Sequence, residues 1–172
     1  LIQLPFKSGI GYYLNKLSLY RRFREINPDV VNAHYASGYG TLARISKLTP
    51  LLLSVWGSDV YDFPYKSKIK MKIIKKNIMF AKEIASTSYA MANQVKKLVD
   101  KHELKINVIP FGVDIEKFKM KGNYNNSSDI TIGIIKNISK KYGIKYLIEA
   151  IKILIYDLYS NGYSNISNNL KL

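Results

Sequence analysis

The stretch 51-LLLSVWGSD-59 decides the fold class. Leu51–Val55 is a nearly continuous apolar run that follows Pro50, and the glycine-containing loop 57-GSD-59 comes directly after it. A short apolar run that ends in such a loop predicts a buried strand. Because parallel sheets have helices on both faces, an apolar strand of this kind indicates a parallel sheet that is covered on both sides.

The rest of the chain alternates between such strands and amphipathic helices. Strands of four to six residues between helices are typical of βαβ units. The sequence therefore predicts an α/β fold, a Rossmann-like parallel sheet with flanking helices. The predicted strands are 29–35, 51–56, 83–87 and 106–109, and the predicted helices are 12–26, 41–48, 66–82 and 88–101, with a glycine-bearing loop at 36–40.

Two of these helices have distinct faces. The helical period of helix 12–26 predicts an inner stripe of Tyr13, Leu14, Leu17, Tyr20 and Phe23. In helix 66–82 the predicted inner stripe is Ile69, Ile73 with Ile74, Asn77 or Ile78, and Ala81. The rest of that helix carries Lys66, Lys68, Lys70, Lys72, Lys75 and Lys76. A solvated face of a packed helix and a membrane-surface helix both fit this pattern.

The segment 106-INVIPFGVDIEKFK-119 closes the first domain. Pro110 ends the strand, and Gly112 is expected to adopt a backbone conformation that other residues avoid. Asp114 is expected to cap a short helix over 115–118, and Phe118 to pack on the first domain as an apolar anchor. Open α/β sheets bind ligands at the carboxyl ends of their strands, so a ligand is expected near this turn.

The pattern changes beyond this segment. Residues 119–129 are polar and contain glycine, which predicts a linker. A strand at 130–135 and a helix at 142–158 follow, and 159–172 has the composition of a disordered tail. The predicted organisation is a first domain at 1–118 with a truncated front, a linker at 119–129, the start of a second domain at 130–158, and a low-complexity tail at 159–172.

The composition limits the classes of function. The formal charge of +15 fits an AT-rich coding sequence that favours lysine, and it also fits binding to an anionic surface. A membrane surface is one such partner; nucleic acid is not expected, because no nucleic-acid-binding motif occurs. The chain has no cysteine, and His34 and His102 lie far apart without a ligand pattern, so no metal site is expected.

Five segments in order carry a resemblance to a known family. The chain resembles the family-4 glycosyltransferases over about residues 12–155. These enzymes have the GT-B fold, in which two Rossmann-like domains face each other across a cleft, with the acceptor mostly on the first and the sugar nucleotide mostly on the second. The segments are 28-PDVVNAHYASGYG-40, 50-PLLLSVWGSDVY-61, 84-IASTSYAMANQV-95, 107-NVIPFGVDIEKF-118 and 132-IGIIKNISKKYGIKYLIEA-150.

The resemblance implies a function in polysaccharide biosynthesis. It implies a retaining transfer of a sugar from a nucleotide-sugar to a glycan or lipid-linked acceptor, without a metal or a cofactor beyond this co-substrate. Amide dipoles and cations would hold the leaving diphosphate. A cytoplasmic location is expected, with peripheral binding to the inner face of the membrane. The alternative is a non-catalytic basic binding module, for a membrane surface or nucleic acid, on a Rossmann-like scaffold.

The same resemblance implies site residues. The candidates for the cleft are Gly57, Ser58, Asp59, Ser88, Gly112 and Asp114, and the candidates for the donor phosphates are Lys136 and Lys141. Structural roles are open beside these: Asp59 can cap a turn or helix, and Ser86, Thr87 or Ser88 can cap the helix that follows. His34 is expected to be a buried core histidine, with substrate contact as the second interpretation.

The chain also departs from the family pattern. Trp56 stands where many members have a histidine before Gly-x-Asp, so that histidine's role beside the reacting sugar does not carry over. Asn137 and Tyr142 stand where members have a phosphate-binding arginine and lysine. The glycine-rich loop near the donor would precede Leu1, and the pair of donor-binding glutamates would follow Leu172. The 172 residues alone are therefore expected to be inactive.

Overall fold

The computed structural model describes residues 2–119, 130–162 and 170–171, without the side chains of Ser8, Lys141, Leu170 and Lys171. The chain forms two compact units, Leu1–Val113 and Asp114–Leu172. The predicted linker falls almost wholly on residues 120–129, which lie outside the described part. The predicted boundaries at 118 and 129 therefore stay predictions.

The first unit is built on a four-stranded parallel sheet of order β1-β2-β3-β4. The strands are β1 (Val31–His34), β2 (Leu51–Ser54), β3 (Glu83–Ser86) and β4 (Asn107–Val108). The helices are α1 (Ser8–Leu14), α2 (Lys16–Ile26), α3 (Gly38–Ile45), α4 (Ser58–Tyr61), α5 (Lys68–Phe80) and α6 (Tyr89–Val99), with a 3-10 turn at Phe63–Lys66. The predicted α/β class with a Rossmann-like parallel sheet is confirmed.

One face of this sheet carries the hydrophobic core. Leu51, Leu53 and Val55 of the second strand are almost completely buried, and Ile84 of the third strand lies with them. Side chains of α5 and α6 pack against this face. The helical members of the core are Ala43 of α3, Val60 of α4, Ile74 and Ile78 of α5, and Met91, Val95 and Leu98 of α6.

The other face is polar, which corrects the expectation of a sheet covered on both sides. The register of β1 with β2 places Asn32 beside Leu52 and His34 beside Ser54. The Ser54 hydroxyl donates to the Asn32 Oδ1 (2.9 Å), and the Asn107 Nδ2 donates to the Glu83 carboxylate (2.9 Å). Only β2 has the continuous apolar run; its neighbours place polar residues on this face.

The predicted helix 12–26 is two helices that meet at Asn15. The Asn15 side chain is buried, and both of its polar atoms are paired there. Its Oδ1 accepts from the Phe6 N–H (3.1 Å), and its Nδ2 donates to the Phe6 carbonyl (2.8 Å). The inward line is therefore Gly11, Asn15, Leu19 and Phe23, at a spacing of four. The predicted stripe is wrong except for Phe23, since Tyr13, Leu14, Leu17 and Tyr20 are exposed.

Two further helices differ from prediction at their starts. Helix α3 begins at Gly38, inside the predicted loop, and a Cβ at buried Gly40 would meet the Leu53 Cδ1 at 3.1 Å. Glycine thus allows α3 to lie close to the sheet. In α5, Ile74, Asn77 and Ile78 are buried as predicted, but Ile69 in its first turn is exposed.

The segment after β4 departs from prediction at two residues. Gly112 has a φ outside the left-handed region, and a Cβ there would meet nothing within 4 Å. The chain therefore does not need glycine at this position. Phe118 is exposed rather than an anchor, and the Lys117 ammonium lies 5.9 Å from the centre of its ring.

The second unit contains little buried surface among its described residues. It comprises β5 (Ile130–Thr131), a 3-10 turn at Lys140–Tyr142, α7 (Ile144–Ser160) and β6 (Leu170–Lys171), which pairs in parallel with β5. The helix starts after Gly143, which is left-handed at φ 66°, and continues into the predicted tail. Residues 159–160 thus lie in α7 and residues 170–171 in β6; residues 163–169 lie outside the described part, so the predicted tail at 159–172 stays a prediction.

Candidate functional site

The loops after the strands of the first unit meet at one edge of its sheet, and Asp59 connects two of them. Its carboxylate is 1% exposed. Its Oδ2 accepts from the Ala36 amide (2.7 Å), while its Oδ1 accepts from the amides of Trp56 (3.0 Å) and Gly57 (2.9 Å). One buried carboxylate therefore fixes the loops after β1 and β2 together. Contact between Asp59 and an acceptor stays a prediction.

Gly57 supplies the backbone geometry that this loop needs. Its φ of 117° and ψ of −75° are open to glycine and closed to most L residues. Its carbonyl accepts from the amides of Val60 (2.9 Å) and Tyr61 (2.8 Å), which starts α4. The glycine before Ser58 thus allows the chain to turn directly from the strand into a helix.

Ser88 caps the helix that follows β3. Its Oγ accepts from the Met91 amide (3.2 Å), and the buried Ser86 hydroxyl donates to the Ser88 carbonyl (2.9 Å). The predicted capping role is confirmed for Ser88. Its predicted contact with substrate stays a prediction.

An aromatic cluster at this edge was not identified from the sequence. Trp56 stacks on Tyr35 with ring centres 5.9 Å apart and lies 5.2 Å from Phe111. The Trp56 Nε1 donates to the His34 Nδ1 (3.0 Å). His34 is exposed, so its prediction as a buried core histidine is wrong. One signal could have shown the cluster: each aromatic residue lies one to three positions beyond the end of a strand.

The rings of His34, Trp56 and Phe111 border a groove of about 340 Å³. The groove lies on the polar face of the sheet, between the strand ends and the loop that contains Pro110. Its lining includes Asn32, His34, Ser54, Trp56, Thr87 and Phe111, with Gly112 next to Phe111. The structure thus places Gly112 at a groove, without testing whether it contacts a ligand.

The remaining candidates lie in the second unit. The Asp114 Oδ1 accepts from the amides of Glu116 (3.1 Å) and Lys117 (3.0 Å), so it caps a hydrogen-bonded turn rather than the predicted short helix. The Lys136 ammonium lies 5.5 Å from the centre of the Tyr142 ring. The side chain of Lys141 lies outside the described part. Phosphate binding by either lysine stays a prediction.

The described residues contain neither a cluster of metal-binding side chains nor a helix that could span a membrane. No three His, Asp or Glu side chains within 2–119, 130–162 and 170–171 come together as they would around a metal ion. In the same residues, no helix is long and apolar enough to cross a bilayer.

Comparison with known proteins identifies the family of this chain. The chain matches the glycosyl transferase 4-like family over residues 2–88, which include β1, β2, β3 and the Asp59 loop. It is 29% identical over 110 residues to the "Putative teichuronic acid biosynthesis glycosyltransferase TuaC" of Bacillus subtilis (strain 168). That alignment covers 62% of this chain and 27% of the relative, so the chain spans about a quarter of that protein.

The chain belongs to the glycosyl transferase 4-like family.

Proposed function

We propose that this chain is the acceptor-side part of a retaining glycosyltransferase, together with the start of its donor-binding part. The enzyme transfers a sugar from a nucleotide-sugar to a glycan or lipid-linked acceptor. One observation carries this proposal: in a member of this family, Asp59 fixes the loops after β1 and β2 at the carboxyl edge of a parallel sheet. Ligands of open α/β sheets bind at that edge.

The name of the relative supports the class of acceptor. TuaC is named for teichuronic acid biosynthesis, and we infer by analogy that this chain also acts on a bacterial polysaccharide or its lipid-linked precursor. Asp59 and Gly57 then act as positioning residues, because their contacts set the shape of the loop rather than offer free polar atoms.

The proposed chemistry needs no metal. Amide dipoles and cations stabilise the negative charge that develops on the leaving diphosphate. Lys136 is a candidate cation because it is exposed, and its ammonium makes a cation–π contact with the Tyr142 ring. Lys141 stays a second candidate.

We propose further that α5 binds an anionic membrane surface. Lys68, Lys72, Lys75 and Lys76 are all exposed, and they surround Ile69 and Met79, which are 72% and 47% exposed. The opposite side of the helix is held in the core through Ile74 and Ile78. A basic face with exposed apolar side chains suits the interface of an anionic bilayer, where each lysine contributes on the order of 1 kcal/mol.

An assay of sugar transfer tests the proposed enzyme. The polypeptide that the gene encodes and the 172-residue chain alone would each be incubated with labelled nucleotide-sugars and a bacterial lipid extract, with heat-inactivated protein as the control. We expect labelled lipid or glycan from the gene product and none from the 172 residues, because the family's glutamate pair does not occur within them.

Each outcome of this assay decides a separate point. Transfer by the 172 residues would contradict the assignment of the donor residues to another part of the enzyme. No transfer by the gene product with any donor would contradict the proposed function, and lipid binding without transfer would favour the basic binding module.

A further inference from the structure

The aromatic cluster consists of Tyr35, Trp56 and Phe111, and all three residues are exposed to solvent. Trp56 is 37% exposed, Tyr35 39% and Phe111 66%. Each follows a different strand, and the three come together only because the parallel register places the ends of β1, β2 and β4 at the same edge. A patch of aromatic rings beside a groove in a glycosyltransferase domain calls for a ligand.

The central ring is held in a fixed orientation. The Trp56 amide donates to buried Asp59, and the indole N–H donates to His34. The indole has no other hydrogen-bonding group, and Tyr35 stacks on one of its faces. Tyr35 lies at 25° to the indole plane, and Phe111 lies at 41° to it. Its two hydrogen bonds and the Tyr35 ring thus fix the orientation of Trp56, and the Trp56 and Phe111 rings, which both line the groove, are inclined to each other.

We propose that Trp56 and Phe111, with Tyr35 stacked on the indole as its support, form a stacking platform for a pyranose ring of the acceptor; this rests on the proposed function. The C–H groups on one side of a pyranose carry small positive charges, which the electron-rich face of an aromatic ring attracts. A flat nucleobase cannot lie parallel to both rings that line the groove, since these are inclined at 41°, whereas the C–H groups of a puckered sugar ring can contact both. Neither shape nor charge at this surface requires a metal.

Polar groups at the rim complete the site. His34 lines the groove, and its Nε2 is the ring nitrogen that Trp56 does not bond. The Thr87 hydroxyl lines the same groove. Apolar stacking with a few convergent polar groups is the usual composition of a small-molecule site, and here these groups can bind the equatorial hydroxyls of a sugar.

The only tryptophan of the chain reports directly on this platform. The 172-residue chain would be titrated with the methyl glycosides of glucose, N-acetylglucosamine and N-acetylgalactosamine while Trp56 fluorescence is recorded. Sorbitol, which has the hydroxyls without the ring, and uridine, which has a flat base, are the controls. We expect a saturable change with at least one glycoside and none with sorbitol or uridine.

Two variants locate the binding. Phe111→Leu removes one ring of the platform and is expected to weaken glycoside binding about tenfold, the change that 1.4 kcal/mol corresponds to. Tyr89→Leu changes a tyrosine on α6 that is more exposed than any ring of the platform and lies outside it, and binding should not change. Circular dichroism would show that both variants fold.

Three results would overturn the platform: no saturable change with any glycoside, a saturable change with sorbitol or uridine, or unchanged binding by Phe111→Leu. A kinetic comparison separates this failure from failure of the proposed function. If the gene product transfers sugar and Trp56→Leu leaves the acceptor KM unchanged, the platform is wrong and the proposed function stands. If the gene product transfers no sugar while the glycoside titration succeeds, the proposed function fails and the platform stands.

Discussion

Asp59 connects loops that are 23 positions apart in the sequence. The residues 57-GSD-59 predict a turn because glycine and aspartate are turn formers, and the structure has such a turn. The sequence does not show that the same carboxylate also reaches Ala36, because that contact depends on the pairing of β1 with β2. The turn propensity of residues 57–59 therefore predicts the local role of Asp59, whereas its hydrogen bond to Ala36 depends on the tertiary structure.

Replacing the Asp59 carboxylate by an amide tests how much its hydrogen bonds contribute to the free energy of unfolding. In Asp59→Asn, the amide nitrogen cannot accept, so at least one of the three N–H groups that Asp59 bonds, those of Ala36, Trp56 and Gly57, loses its partner. We expect the free energy of unfolding to fall by roughly 2–3 kcal/mol, measured by urea unfolding with circular dichroism. Asp62→Asn, which changes an exposed carboxylate paired with Lys66, is the matched control and should cost under about 1 kcal/mol.

Other residues show where sequence rules succeed. Ser88 was predicted as a cap because capping needs only the next three residues. The buried histidine and the glycine conformation at Gly112 were predicted wrongly, since both depend on what the fold places around them. The aromatic cluster was missed for the same reason: Tyr35, Trp56 and Phe111 are neighbours only through strand register.

At the scale of elements, helical periodicity predicted the buried side correctly for most of α5 and wrongly for α1 and α2. It placed Asn77 on the inner side of α5, where the Nδ2 donates to the Ala36 carbonyl (2.7 Å) and the Thr41 hydroxyl (2.8 Å), while the Oδ1 accepts from the Arg44 Nε (2.6 Å). It failed for α1 and α2, because the buried polar side chain of Asn15 turned the apolar side chains outward.

The exposed side of α5 leads to a prediction about binding. The chain should co-sediment with phosphatidylglycerol vesicles at low salt and be released as ionic strength rises, because screening weakens the attraction of its lysines to the surface. Changing Lys68, Lys72, Lys75 and Lys76 to Gln should remove most of this binding. The control changes four exposed lysines of the same unit to Gln: Lys82, Lys97, Lys101 and Lys105.

The control separates a specific surface from net charge, since both sets lower the charge equally. An equal loss of binding in the two variants would show that net charge alone is responsible. Binding to neutral vesicles as strong as that to anionic ones would contradict the electrostatic account.

At the scale of the whole molecule, the sequence predicted a division and the structure has two compact units. The polar composition of 119–129 predicts that limited proteolysis cuts first at Lys119, Lys121 or within 123–128, and leaves a resistant fragment that ends near Phe118. Mass spectrometry of the earliest fragments would locate the cuts. First cuts within 29–112 would contradict the predicted domain boundary.

The polar face of the sheet has a thermodynamic consequence. In the described residues of the first unit, helices cover one side of the strands, and the other side bears paired polar groups such as Asn32 with Ser54. Unfolding therefore hydrates less new apolar surface per residue than it does in a sheet with helices on both sides. Apolar hydration raises the heat capacity and polar hydration lowers it. We therefore expect a small heat-capacity increment per residue for the first unit, with a stability curve that is correspondingly flat across temperature.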